Sequence, residues 1–120
     1  MKQATIKITD LSLRTIIGGN DWERETKQDV IINIKLTYNA EKALASDAME
    51  DALDYKRLKR RVIDEVEKSR FHLLEKLTAT VLAAIMEDTR VLSASVRIDK
   101  PSALRFAKTV SIEMSDRRDA

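Results

Sequence analysis

The sequence predicts an α+β fold in which one antiparallel sheet of four strands carries two helices on a single face. Three observations carry this expectation. Alternating apolar residues mark a strand pair toward each end of the chain, and a four-residue apolar period marks two amphipathic helices between them. With only two glycines and one proline in 120 residues, no flexible linker divides the chain. The expected order is ββααββ in a single domain over residues 1–120.

Ile6 and Ile8 alternate with polar residues, and after Asp10 the apolar phase shifts to Leu11, Leu13 and Ile17, which predicts one long strand with a bulge. Gly18 and Gly19 end it, and a polar loop from Asn20 to Lys27 follows. Ile32, Ile34, Leu36 and Tyr38 alternate against Asn33, Lys35 and Thr37 as a second, half-buried strand. The segment from Asn39 to Asp54 is acidic and irregular, with a short helical turn expected around Glu41 to Ala45. Asp54 is placed to cap a helix that starts at Tyr55 and buries Leu58, Val62 and Val66. A break near Ser69 and Arg70 precedes a second helix marked by Leu74, Leu77, Val81 and Ile85, and so short a connection predicts antiparallel neighbours. Leu92, Ala94, Val96 and Ile98 form the third strand and Val110, Ile112 and Met114 the fourth, with a Lys-Pro-containing loop between them.

Both helices should cover one sheet face, because that face needs an apolar partner, and the opposite face is the more polar. A long first strand left unpaired at a sheet edge invites aggregation, so subunits are expected to join edge to edge into a closed ring or barrel.

Composition removes several classes of function. The chain has no cysteine, which excludes disulfides, thiolate metal sites and cysteine nucleophiles. No stretch reaches the roughly 20 apolar residues needed to span a bilayer, and Met1 to Thr5 lacks the apolar centre of a signal peptide, so no membrane association and a cytoplasmic location are expected. Charged residues make up 35% of the chain, but 22 basic and 20 acidic side chains leave a formal charge of only +2, weak support for nucleic-acid binding. The basic run Lys56, Arg57, Lys59, Arg60 and Arg61 is followed directly by Asp64, Glu65 and Glu67, as on a mixed, solvated helix face. No P-loop, dinucleotide fingerprint or His-Glu metal motif occurs, and Asp47, Glu50, Asp51 and Asp54 have no calcium-loop spacing. No metal and no cofactor is expected.

Five polar features invite a chemical reading, each beside a plainer one. Glu23, within Asp21-Trp22-Glu23, is either a loop carboxylate positioned beside an aromatic or a solvated acid next to a packed Trp. Lys100, at the end of the third strand with Pro101 stiffening the exit, holds an ammonium in a pocket or is surface charge. Tyr55 stacks on a flat ligand or fills the edge of the core. His72, the only histidine, lies between Phe71 and Leu73 and suits a structural or ligand-contacting role better than acid–base work. Glu75, one turn into the second helix, complements the helix dipole or accepts from a pair of ligand N–H groups.

In order and spacing, Leu13-Arg14-Thr15-Ile16-Ile17-Gly18, Asp21-Trp22-Glu23, Asp54-Tyr55, Arg70-Phe71, Leu74-Glu75-Lys76-Leu77 and Asp99-Lys100-Pro101 resemble the dihydroneopterin aldolase family and its sister, dihydroneopterin triphosphate 2'-epimerase. The resemblance runs roughly from Thr5 to Ser115 and implies the tunnelling fold (T-fold), in which four subunits form a barrel and two such rings commonly stack into a homo-octamer. It also implies a small-molecule pterin substrate and active sites between subunits. By the same resemblance Glu75 anchors the pterin N–H groups with help from the Leu74 backbone, and Glu23 and Lys100 form the catalytic pair. Tyr55 from a neighbouring subunit covers the ring and assists proton transfer, and Leu53 and His72 line the site.

The implied chemistry needs no cofactor, since the C=N bond of a 7,8-dihydropterin accepts electrons when C1'–C2' breaks. Release of the cleaved aldehyde gives aldolase activity, and its re-addition after turning over gives epimerase activity. Leu13-Arg14-Thr15, Ala103-Leu104-Arg105-Phe106-Ala107 and Val110-Ser111 resemble the epimerase branch, whereas Asp21-Trp22-Glu23 resembles aldolases. The expectation is therefore an epimerase acting on 7,8-dihydroneopterin 3'-triphosphate, with Arg105 and Arg14 as triphosphate contacts. A folate-pathway aldolase and a noncatalytic pterin-binding scaffold are the alternatives.

Overall fold

In the structure, a computed structural model that describes residues 1–119, the phase shift at Asp10 becomes a β-bulge. Strand β1 (Gln3–Thr15) pairs antiparallel with β2 (Gln28–Asn39), and their register shifts between Ile8 and Leu11. Asp10 sits at φ 55°, a costly angle for a residue with a Cβ. Asn33 holds it there by accepting from the Asp10 N–H (3.0 Å) and donating to its carboxylate (3.2 Å). The slip returns Leu11 and Leu13 to the face that Ile6 and Ile8 already occupy, which a regular strand could not do.

After β2 the chain forms α1 (Glu41–Ser46), a 3-10 turn (Met49–Asp51), α2 (Tyr55–Lys68), α3 (Leu74–Met86), β3 (Val91–Pro101) and β4 (Thr109–Arg117). The sheet order is β1-β2-β3-β4, antiparallel throughout, as the ββααββ pattern predicts. Asp54 caps α2 by accepting from the Arg57 N–H at 3.1 Å. Leu58, Val62 and Val66 of α2 and Leu77, Val81 and Ile85 of α3 pack on Ile32, Ile34, Leu36, Val96 and Ile98. Each such fully buried aliphatic side chain contributes about 1.5–3 kcal/mol.

Two details differ from the sequence reading. Strand β1 stops at Thr15, whose buried hydroxyl donates to the Val66 carbonyl at 2.8 Å and ties β1 to the end of α2. Strand β3 continues through Lys100 and Pro101, opposite Val110 and Thr109, so the β3–β4 loop is residues 102–108 and Lys100 is a strand residue. Proline is tolerated there because it occupies the last strand position.

The antiparallel registers sort the molecule into two ends. Thr15 of β1, Gln28 of β2 and Pro101 of β3 lie at one end; Gln3, Asn39 and Val91 lie at the other. Helix α2 starts at the second end and finishes at the first, a span of about 21 Å for its 14 residues. Among the described residues, no helix is long and apolar enough to cross a membrane.

Candidate functional site

Beyond β1, Ile16 and Ile17 are buried and Gly18 turns the chain at φ 122°. A Cβ at Gly18 would strike the Glu23 carboxylate, so both the backbone angle and the space require glycine. Asn20 then opens a 3-10 turn (Asp21–Arg24), and its N–H donates to the Glu23 side chain at 3.1 Å while the Glu23 N–H donates back to the Asn20 carbonyl at 2.9 Å. This local exchange turns the carboxylate inward and leaves Glu23 only 4% exposed.

Two more donors converge on the same carboxylate. Gln28 at the start of β2 donates its Nε2 to Glu23 at 3.1 Å and to the Ile17 carbonyl at 2.6 Å. The Lys100 ammonium, reaching across from β3, completes a buried hydrogen-bonded ion pair. Burial pushes the Glu23 carboxyl up, but the Lys100 hydrogen bond, the Asn20 N–H and the Gln28 amide together outweigh it and hold the group down at about 2. Glu23 therefore stays ionised at neutral pH, and its affinity for a proton depends on where Lys100 is.

The solvated-acid and surface-charge readings of Glu23 and Lys100 are thus set aside. It is Trp22 that stands in solvent, 59% exposed.

The loop carrying Glu23 is fastened to the α2–α3 connection, residues 69–73. The Gly18 N–H donates to the Phe71 carbonyl at 3.2 Å, and the Arg24 guanidinium donates to the Gly18 carbonyl at 2.9 Å, the Phe71 carbonyl at 3.0 Å and the Arg70 carbonyl. Arg70 answers by donating to the Arg24 carbonyl at 3.0 Å. Directly after this connection α3 begins with Leu74, half-buried, and Glu75, exposed in the first turn; His72 is exposed just before them. Glu75 forms no ion pair among the described residues. Glu23, Lys100, Leu74, Glu75 and His72 are thereby brought to one end of the sheet.

Tyr55 and Leu53 are not. They lie at the other end, where Leu53 is 2% exposed within the core and Tyr55 is 54% exposed on the first turn of α2. Arg90 holds that segment by donating to the Ala52 carbonyl at 2.9 Å while pairing with Asp88 at 3.1 Å. Arg14 pairs with Asp29 at 3.4 Å, and both side chains are largely in solvent. Arg105 lies in the exposed β3–β4 loop with its guanidinium 5.5 Å from the centre of the Phe106 ring. Of the acidic cluster, Asp51 pairs with Lys42 at 3.3 Å and Asp54 caps α2, so both have structural work.

Sequence reasoning missed three contributors to this end: Gly18 as the space for a carboxylate, Gln28 as its third donor, and Arg24. A Gly at a strand exit is a detectable signal, but nothing in the pattern distinguishes Gln28 or Arg24 from other polar loop residues.

The profile of the dihydroneopterin aldolase (FolB) family matches residues 6–115, nearly the whole chain. The chain belongs to the dihydroneopterin aldolase family. Within that family it is 44% identical to a dihydroneopterin triphosphate 2'-epimerase of Pseudomonas aeruginosa over 115 residues, covering 96% of this chain and 94% of the relative. It is 30% identical to the dihydroneopterin aldolase of Escherichia coli strain K12 over 105 residues, covering 88% and 86%. The crystal structure of E. coli dihydroneopterin aldolase in complex with neopterin superposes with a TM-score of 0.89 at 27% identity, covering 94% of this chain and 98% of that one. The four-stranded sheet and its two covering helices are the family fold, in agreement with the sequence expectation.

Proposed function

We propose that this family member is a dihydroneopterin triphosphate 2'-epimerase, inverting C2' of 7,8-dihydroneopterin 3'-triphosphate to give the monapterin epimer by retro-aldol and aldol steps. The observation that carries the branch assignment is the 44% identity to a 2'-epimerase against 30% to an aldolase. The buried Glu23–Lys100 pair supplies the chemistry.

In this proposal the pterin N–H edge binds Glu75, with the Leu74 backbone beside it and His72 lining the approach. Lys100, as the ammonium, hydrogen-bonds ring N5 and protonates it as the C1'–C2' electrons move into the ring. When Lys100 turns to N5, Glu23 loses its strongest donor, regains basicity and accepts the 2'-hydroxyl proton. The products of this half-reaction are an enamine-like dihydropterin and a triphosphorylated aldehyde. Re-addition to the opposite aldehyde face returns both protons and leaves C2' inverted. The ring is its own electron sink, so the scheme uses no cofactor.

Tyr55 and Leu53 belong to the same site only if a neighbouring subunit supplies them, because α2 separates the two ends within one chain. Exposed apolar side chains support such a head-to-tail contact. Trp22, Leu73, Leu104 and Phe106 stand out around the Glu23 end, and Leu44, Met49 and Tyr55 around the other. The assembly proposed is a ring of four with β1 and β4 edges joined, stacked in pairs as a homo-octamer, in the cytoplasm. Arg105, with Arg14 as a second contact, is assigned to the triphosphate.

The test is to incubate the protein, with a chelator present, separately with 7,8-dihydroneopterin triphosphate and with 7,8-dihydroneopterin, and to separate the oxidised pterins. Mostly monapterin triphosphate from the first is expected. Mostly 6-hydroxymethylpterin from the second would replace this reading with the aldolase, which Asp21-Trp22-Glu23 favours, and no conversion of either would leave a binding role.

A further inference from the structure

Arg24 shares with Arg118, at the other end of the sheet, a guanidinium bonded to backbone carbonyls. The Arg24 guanidinium forms no ion pair with any described carboxylate and instead donates to three backbone carbonyls: those of Gly18, Arg70 and Phe71. These acceptors come from two chain segments about 50 residues apart, with sequence separations of 6, 46 and 47 from Arg24. One segment leads into the Glu23 turn, and the other runs into Leu74 and Glu75. A planar, permanently charged fork is the side chain suited to bridging several carbonyls, and a lysine ammonium lacks that fixed geometry.

What else joins the two segments is limited. Glu23 is held by Asn20, Gln28 and Lys100, which belong to its own loop, β2 and β3 and do not reach the α2–α3 connection. Besides Arg24, that connection is tied to this segment by the Gly18 N–H to the Phe71 carbonyl, by the Arg70 side chain, whose acceptor is the carbonyl of Arg24 itself, and, farther from Glu23, by the Thr15 hydroxyl at the Ser69 carbonyl (3.1 Å).

We infer that Arg24 is a positioning residue that sets the spacing between the proton-transferring pair Glu23 and Lys100 and the ring-anchoring Glu75. This rests on the epimerase reading of the site. A ring anchored at Glu75 presents N5 and the 2'-hydroxyl at a fixed distance from that anchor, so the pair must be held at a matching one. A displacement of about 1 Å at a reacting centre costs on the order of 10²-fold in rate. Re-addition of the cleaved aldehyde is the more demanding step, because the fragment must be met in the right orientation before it escapes.

The experiment uses the assembled full chain and the variants Arg24→Met and Arg24→Lys, with steady-state kinetics on 7,8-dihydroneopterin triphosphate. It also measures the ratio of epimerised to cleaved product per turnover, which does not depend on how much of the protein is folded. For Arg24→Met the expected result is a kcat roughly 10- to 100-fold lower with KM within about 3-fold, and a product ratio shifted toward cleavage. Arg24→Lys should fall between it and the wild type; if Arg24→Met does not assemble, Arg24→Lys is read alone by the same two quantities. Activity that falls only with the assembled fraction, at unchanged product ratio, would overturn the inference and leave Arg24 a stabilising residue. Wild-type protein that converts neither pterin substrate would overturn the parent reading and the Arg24 role with it.

Discussion

At the end of the sheet where β1 turns into β2, a carboxylate and an ammonium are buried together, and Asn20, Gln28, Arg24 and Arg70 are directed at the carboxylate or at the loop that carries it. At the end where α2 begins, Tyr55 stands half in solvent, and the charges around it, Arg61 with Glu65 and Glu87, and Arg90 with Asp88, are surface pairs. Such exposed pairs contribute roughly 0–1 kcal/mol each, whereas removing one member of a buried pair costs about 3–5 kcal/mol. The difference teaches that one chain by itself completes the buried Glu23–Lys100 pair, proposed above to move protons, and leaves Tyr55, the proposed ring cover, exposed.

The largest effect should come from Lys100→Met. It removes the proposed N5 acid and leaves Glu23 buried without its cation, so kcat should fall about 10²- to 10⁴-fold and stability by on the order of 3 kcal/mol, read by pterin assay and urea unfolding. Adding Glu23→Gln should return most of the stability and none of the activity. The acid limb sharpens the point. Glu23 is depressed from 4.5 to about 2, so its contribution is fully present above pH 4.5 and is lost as pH falls toward 2. That contribution amounts to about 3 kcal/mol at most, and the wild-type minus Glu23→Gln stability difference should shrink across that window.

Next, Gly18→Ala should cost roughly 1–3 kcal/mol and dislodge Glu23, because φ 122° and the carboxylate both oppose a Cβ; thermal unfolding and kcat should fall together. Tyr55→Phe, by contrast, should leave unfolding within about 0.5 kcal/mol and lower kcat 10- to 100-fold, since an exposed hydroxyl does no work in the single chain. Smallest is Arg90→Met, which frees the Ala52 carbonyl ahead of Tyr55 and should cost about 1 kcal/mol with a kcat change under about 10-fold.

The fold was legible because the four strands and the two long helices announce their period: the slip at Asp10, the Leu58-Val62-Val66 spacing and the alternation through Ile98 each have one structural solution. The Glu23 end was legible only in part. Glu23 and Lys100 are 77 positions apart, and no periodicity tells whether a loop carboxylate turns inward. The capping exchange with Asn20 and the space left by Gly18 decide that, and both are three-dimensional facts. Arg24 is less visible still, because its partners are backbone carbonyls, which every residue has. Tyr55 stayed ambiguous between core edge and ligand cover, and the single chain resolves the first half of that question by exposing it.

The most direct test of a site divided between two subunits is complementation. Lys100→Met and Tyr55→Phe chains, each assembled alone, should be nearly inactive on dihydroneopterin triphosphate. Unfolded together and reassembled in equal amounts, about one quarter of their sites should combine an intact Glu23–Lys100 end with an intact Tyr55, and activity should rise to about that fraction of wild type. Mixed assemblies no more active than the two separate variants would contradict the division, and would mean that Tyr55 does not complete the site from a neighbour.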